Sequence, residues 1–223
     1  MIFLPPDSSV ADINVSVDGT LLLRSTTFKY LGSILSSDGD SNEDVNARVA
    51  SAWLKWRSMS GVLCDKSMPI NIKSKIYQTM VRPVALYGSE CRATTAACAN
   101  RFHCMEMNML RWSLGVTRLD KVPNDTIRMV YGVRPVGEKI VENRLRWYGH
   151  VQRSAPESVI DSAWKLSVIG RRGQGRPRMR WYQDNIRRDM MKVRVSNEDV
   201  FDRIGWRQKI RAADPSAFRR INA

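Results

Sequence analysis

Apolar and polar residues alternate at Ile13, Val15 and Val17, and the alternation resumes at Leu21 and Leu23 after Asp18-Gly19. Period-two alternation on both sides of an Asp-Gly pair predicts a β-hairpin with a tight turn. Phe28-Lys-Tyr-Leu-Gly-Ser-Ile-Leu35 predicts a third, more buried strand. Beyond it the apolar spacing becomes helical. Val45, Val49, Ala52, Trp53 and Trp56 share one helical face, and Ser41-Asn42-Glu43-Asp44 predicts a capping box at its start. A second helix is predicted over 70–87 with Ile72, Ile76, Met80 and Val84 inward, kinked at Pro83 because proline lacks a backbone donor. A third, over 95–114, turns Phe102, Met105, Met109 and Trp112 inward. Further helices are predicted over 124–131, 135–152, 157–166, 178–192 and 197–212, the last capped by Ser196 with Asp199. The fold class is mainly α: a small N-terminal β-hairpin and strand segment, then a multi-helix array. The expected division is a β segment over 1–40, a helical region over 41–120 and a basic helical region over 121–223.

The triplets Leu110-Arg-Trp112, Leu145-Arg-Trp147 and Met179-Arg-Trp181 recur at helical-repeat spacing, but the residues between them do not match. They are read as chance, with each Trp a core anchor beside an exposed Arg.

With 223 residues, 43% of them hydrophobic, the chain is long and apolar enough to bury a real core. Its net charge of +14 is uneven: residues 1–100 hold 10 Lys/Arg against 9 Asp/Glu, and residues 101–223 hold 26 against 13. That asymmetry points to a polyanionic partner, RNA or DNA ahead of an acidic membrane. Ile2-Phe3-Leu4 is too short for a signal-peptide core, and no apolar run approaches the ~20 residues of a membrane span. The expected location is therefore nucleus or cytoplasm, where cysteines stay reduced. Cys64, Cys91, Cys98 and Cys104 contain no C-x-x-C pair, so buried free thiols are expected rather than a zinc site.

Candidate chemistry is sparse. Asp38, Asp40 and Asn42 have the opening spacing of a calcium loop, but Glu43 and Val49 stand where that loop needs Gly and Glu. No phosphate-cradling glycine loop, nucleophile elbow or H-x-x-x-H metal motif is present, and His103 and His150 have no partner recognisable in the sequence. Two-metal nucleotidyl transfer needs clustered carboxylates, and the chain has no Asp-Asp pair. These features predict no enzyme activity for this chain alone, no cofactor and no small-molecule substrate.

The densest charge lies in Gly170-Arg-Arg-Gly-Gln-Gly-Arg-Pro-Arg-Met-Arg-Trp181; from Arg171 to Arg194 there are 9 Lys/Arg and 2 Asp/Glu. Arginine forks match phosphate oxygens, and glycines let backbone approach a polyanion. Arg171, Arg172, Arg176, Arg178, Arg180, Arg187 and Arg188 are the candidate nucleic-acid-binding residues. Gly175-Arg176-Pro177 also looks like the heart of an AT-hook, although Gln174 precedes it where an arginine is usual. Phosphate binding, minor-groove reading and a merely solvated loop all remain open. Trp181 is read as a core anchor ahead of a base-stacking residue.

An ordered set of short segments carries a resemblance. It begins with Phe28-Lys-Tyr-Leu-Gly-Ser33, Trp53-Leu-Lys-Trp-Arg57, Gly61-Val-Leu-Cys-Asp65, Val81-Arg-Pro83 and Leu86-Tyr-Gly-Ser-Glu-Cys91. It continues through Met109-Leu-Arg-Trp112, Gly115-Val-Thr-Arg118, Asn143-Arg-Leu-Arg-Trp-Tyr-Gly-His-Val151, Gly175-Arg-Pro177 with Arg180-Trp181, and Trp206-Arg207. In this order they resemble the C-terminal part of non-LTR, RTE-like retrotransposon reverse transcriptases, over roughly residues 26–215. The resemblance implies the end of a polymerase palm at 28–35, a thumb over 41–114 and a basic extension that handles RNA or target DNA. That family's catalytic Asp-Asp motif and endonuclease lie upstream of the first matched residue, so no catalytic residue is carried over. Arg92 stands where the family leads one to expect an aromatic residue. Two other readings stay open: an independent nucleic-acid-binding module, and a helical interaction scaffold whose charge is incidental.

Overall fold

The computed structural model describes residues 16–21, 25–166 and 179–215. Strands β1 (Ser16–Val17) and β2 (Thr20–Leu21) pair antiparallel with Val17 opposite Thr20. Asp18 and Gly19 sit between them at φ 49° and 77°, the two positive values a two-residue hairpin turn requires. Ile13, Val15 and Leu23 lie outside the described residues. The single strand expected over 28–35 is instead a second hairpin, β3 (Thr27–Tyr30) with β4 (Ser33–Ser36). Leu31 and Gly32 form its turn at φ 48° and 81°. A leucine in the left-handed region is uncommon, so alternation alone does not reveal the break. Tyr30, Leu31 and Leu35 are exposed, so the expected burial fails as well.

Helix α1 (Asn42–Arg57) buries Val45, Ala52 and Trp56, with Val49 and Trp53 partly covered, as their spacing predicts. The capping box does not form. Ser41 Oγ donates to the Ala93 carbonyl at 3.2 Å, while Asp44 accepts from Ile34 N–H at 2.9 Å and pairs with Arg92. Distant partners have displaced the local cap. After α2 (Ser60–Leu63), one helical rod runs through α3 (Ile70–Ile76), a π-helical stretch Tyr77–Val81 and α4 (Arg82–Leu86). Arg82 N–H donates to the Tyr77 carbonyl, the wider bond of a π turn, just before Pro83. The observed inward face therefore carries Tyr77, Val81 and Ala85, and the expected Ile72 and Met80 are exposed.

Helix α5 (Ala96–Leu114) begins at Thr95, whose side chain accepts from Cys98 N–H, and ends at Gly115 with φ 67°. Phe102, Met105 and Met109 are buried as expected, but Trp112 is not. The face continues to Ser113, which donates to the Leu63 carbonyl, and Trp112 lies outside it against Trp53 at 6.2 Å. In two of the triplets the leucine, Leu110 or Leu145, is the fully buried member; Trp147 is only half-buried. Helix α6 (Asn124–Tyr131) is closed by Gly132 at φ 62°.

Helix α7 (Val136–Gln152) belongs to two apolar clusters, one running from Val45 to Ile140 and the other from Val141 to Ile210. The second gathers the π-helical Trp181–Ile186, α9 (Arg187–Val193), a 3-10 turn Glu198–Phe201 and α10 (Arg203–Ile210). Between α7 and Trp181 stands α8 (Val159–Lys165). The helix expected over 197–212 is broken at Asp202, whose carboxylate accepts from Ile204 and Gly205 N–H, both at 3.1 Å. Ser196 and Asp199 do bond reciprocally at the start of the 3-10 turn, at 2.7 and 3.4 Å. The four cysteines are free, but only Cys98 is buried; Cys91 and Cys104 are exposed. The described chain is thus mainly α with a small N-terminal β segment.

Candidate nucleic-acid interface

The arginines divide into two populations. Arg48, Arg82, Arg92, Arg128 and Arg144 are buried, and each pairs with a carboxylate. Asp44 takes Arg92 and, at 3.7 Å, Arg48; Arg48 also donates to the Gly32 carbonyl and so fastens the second hairpin to α1. Glu106, fully buried, accepts from Tyr77 hydroxyl at 2.9 Å, Arg128 Nε at 3.1 Å and Val136 N–H at 3.2 Å. Burial pushes its carboxyl above the ordinary value even so. Arg128 also donates to His103 Nδ1 at 2.9 Å, which gives that histidine the partner the sequence did not reveal. Arg144 Nε reaches Asp189 at 2.7 Å, and burial lowers the arginine and raises the aspartate. Asp214 holds Arg82 with both oxygens, at 2.8 and 2.6 Å. Such pairs are costly to break, because each leaves a charge buried without a partner. Apart from Arg48 with Asp44, four residues apart in α1, they join elements distant in the chain, so no local spacing announces them.

The second population, among the described residues, is exposed and includes Arg180, Arg187, Arg188, Arg203 and Arg207 after α7. Arg171, Arg172, Arg176 and Arg178 lie in 167–178, outside the described residues. Both flanks of that stretch are described, and they meet. Trp164 of α8 packs edge-on against Trp181 at 6.3 Å and Tyr182 at 5.2 Å, and Tyr182 stacks on Tyr148 of α7 at 5.7 Å. The arginine-rich stretch therefore leaves and rejoins the described fold at one aromatic cluster. Trp181 Nε1 donates to the Glu90 carbonyl at 2.7 Å, consistent with an anchor rather than a free stacking face. Arg180 is exposed, and Asp184 accepts from its backbone N–H at 2.6 Å and its Nε at 3.4 Å. Arg187 lies over the Tyr182 ring at 5.1 Å, a cation–π contact that holds the guanidinium at the surface. Arg188 is exposed beside the Arg144–Asp189 pair and influences both. A further group, absent from the sequence reading, comes from three elements: Arg153 after α7, with Arg203 and Arg207 of α10. Burial lowers Arg153, and the positive charges of the other two lower it further. Only folding brings them together.

The segments that carry the resemblance act here as ties. Asn143 donates to Ser89 at 3.3 Å, Tyr148 donates to Asn197 at 2.8 Å, and Trp206 Nε1 donates to the Leu145 carbonyl at 3.2 Å. Thr94 N–H donates to the buried Asn185 at 2.9 Å. Together with Glu90 and Arg92, these contacts make 87–95 the junction between α1, α7 and the segment leading into α9. Arg92, unexpected by resemblance, is one of the buried pairing arginines.

The chain is similar to an uncharacterized transposon-derived protein of Caenorhabditis elegans, 24% identical over 174 residues, covering 72% of this chain. It spans 59% of that relative's length. No family model and no solved structure matches it. Among the described residues no helix is long and apolar enough to cross a membrane.

Proposed function

We propose that the chain is the thumb and basic C-terminal region of a transposon-derived, non-LTR-type reverse transcriptase, and that it binds RNA or DNA through phosphate contacts without a polymerase active site of its own. The observation that carries this reading is the partition of the arginines. Those buried in the fold are neutralised by carboxylates, whereas the described arginines that flank the arginine-rich stretch, Arg180, Arg187 and Arg188, are exposed beside the aromatic cluster. Similarity to a transposon-derived protein supports the origin, and the order of the resembling segments supports the reverse-transcriptase part. The proposed ligand is the sugar–phosphate backbone, because arginine and backbone contacts to phosphate carry no base information.

Fluorescence anisotropy against an RNA hairpin and a duplex DNA over a range of salt concentrations tests it. The expected result is binding to both, with log K falling linearly against log salt. Absence of binding, or binding indifferent to salt, overturns the reading and favours a helical interaction scaffold. Primer extension on an RNA template with magnesium is expected to give no incorporation above a heat-killed control, since the sequence has no Asp-Asp pair of the kind that holds two metals.

A further inference from the structure

Trp112 and Lys73 line the same groove, between the 64–70 loop with α3 on one side and the end of α5 on the other. Its volume, about 1120 Å³, exceeds the ~300–1,000 Å³ of small-molecule pockets and suits an extended ligand. Met68, Ile70 and Leu114 give it apolar walls, and Lys66 stands exposed at its edge. Trp112 is 50% exposed, supported from behind by Trp53. Lys73 is only 5% exposed, and its ammonium makes no hydrogen bond or ion pair among the described residues. Its field is felt by Cys64 and by Asp65, whose Oδ1 is already engaged by the Ser67 N–H and hydroxyl, both at 2.8 Å. Every buried arginine among the described residues has a carboxylate in ion-pair range, and Lys73 has none there.

We infer that this groove is a binding site for unpaired nucleotides, the base stacking on Trp112 and the phosphodiester meeting the ammonium groups of Lys73 and Lys66. The Lys73 ammonium nitrogen is not sealed from solvent, so an anion that enters the groove can meet it. An exposed indole face and a cation within one channel are the pair of contacts that hold a single strand without reading its sequence. A duplex has no free base face to offer Trp112. The groove is lined by the 64–70 loop, the start of α3, the end of α5 and Val130, and the contacts inferred here use none of the arginine-rich residues.

The test follows the indole N–H resonance that disappears in Trp112→Phe while single-stranded penta-uridylate is titrated into the full chain. The expected result is a saturable shift of that resonance. Trp112→Ala should weaken binding by about five- to a hundredfold. Lys73→Met should weaken it at least tenfold while leaving the melting temperature unchanged or higher, and Lys73→Arg should retain it. A structural role for Lys73 would lower the melting temperature of Lys73→Met instead, and that result overturns the site. So does an unmoved Trp112 resonance, or one moved by hexaglutamate and not by the oligonucleotide, which would assign the groove to an acidic peptide. The shift should persist when Arg171, Arg172, Arg176 and Arg178 are all changed to Gln; its loss there overturns a separate site. Binding of long RNA by the arginine-rich stretch is measured independently, so the two readings fail separately.

Discussion

A methyl group built on Gly149 would lie 2.6 Å from the Trp206 indole nitrogen and 2.9 Å from Arg153 Nη1. Trp206 cannot yield easily, because its ring is buried and its N–H is bonded to the Leu145 carbonyl at 3.2 Å. Gly149→Ala should therefore destabilise the protein by about 1–3 kcal/mol, seen as a lower urea midpoint at unchanged slope. A midpoint equal to that of the wild type would show that α7 and α10 do not approach so closely. In the sequence Gly149 is only a glycine within a predicted helix, since the side chain that needs its space belongs to another element. The same limit hid the pairing of Asp44 with Arg92 and of Glu106 with Arg128. Val45, Ala52, Phe102 and Met109, by contrast, were legible because burial along a single helix follows its own period.

At the scale of elements, helices bounded by strong local signals were the legible ones. Helix α6 matches its expected range to the residue, set between Pro123 and Gly132. Asp44 left its local cap for the distant Arg92, whereas the last helix is split by a local cap that the periodicity did not reveal, Asp202 bonding Ile204 and Gly205. The chain end is fastened by two acids that titrate low. Burial raises Asp214, but hydrogen bonds from Arg82 and the Arg134 N–H outweigh it and hold the carboxyl below its ordinary value. Asp199 is drawn down to about 2 by Lys209 and the Ser196 N–H. A depressed native value means that each acid stabilises fully above its unfolded pKa, about 4, and that this contribution fades as pH falls toward the native value. Asp214→Asn leaves Arg82 nearly buried without its partner and should cost about 3 kcal/mol at pH 7. The gap in urea midpoint between that variant and the wild type should narrow at pH 3; an equal gap at both pH values would exclude the titration of Asp214 as its cause.

Across the whole molecule, charge asymmetry was legible from composition, but which cations are available to a ligand was not. The fold consumes five arginines in buried pairs, so changing exposed ones should leave stability nearly intact. Two sets, one in the arginine-rich stretch and one on its described C-terminal flank, can then be compared at matched foldedness. Changing Arg171, Arg172, Arg176 and Arg178 to Gln removes four candidate phosphate contacts. Each contact contributes about 0.7–0.9 to the slope of log K against log salt, so that slope should flatten by about three. Changing Arg180, Arg187 and Arg188 to Gln should flatten it by less than about two. Arg180 is already engaged by Asp184 and Arg187 by the Tyr182 ring, which leaves Arg188 as the least engaged of the three. RNA hairpin and duplex DNA should lose affinity alike in the first variant. A loss confined to AT-rich duplex would assign Gly175-Arg176-Pro177 to the minor groove. A slope unchanged in the four-arginine variant but flattened in the other would move the phosphate contacts from the arginine-rich stretch to the surface of α9.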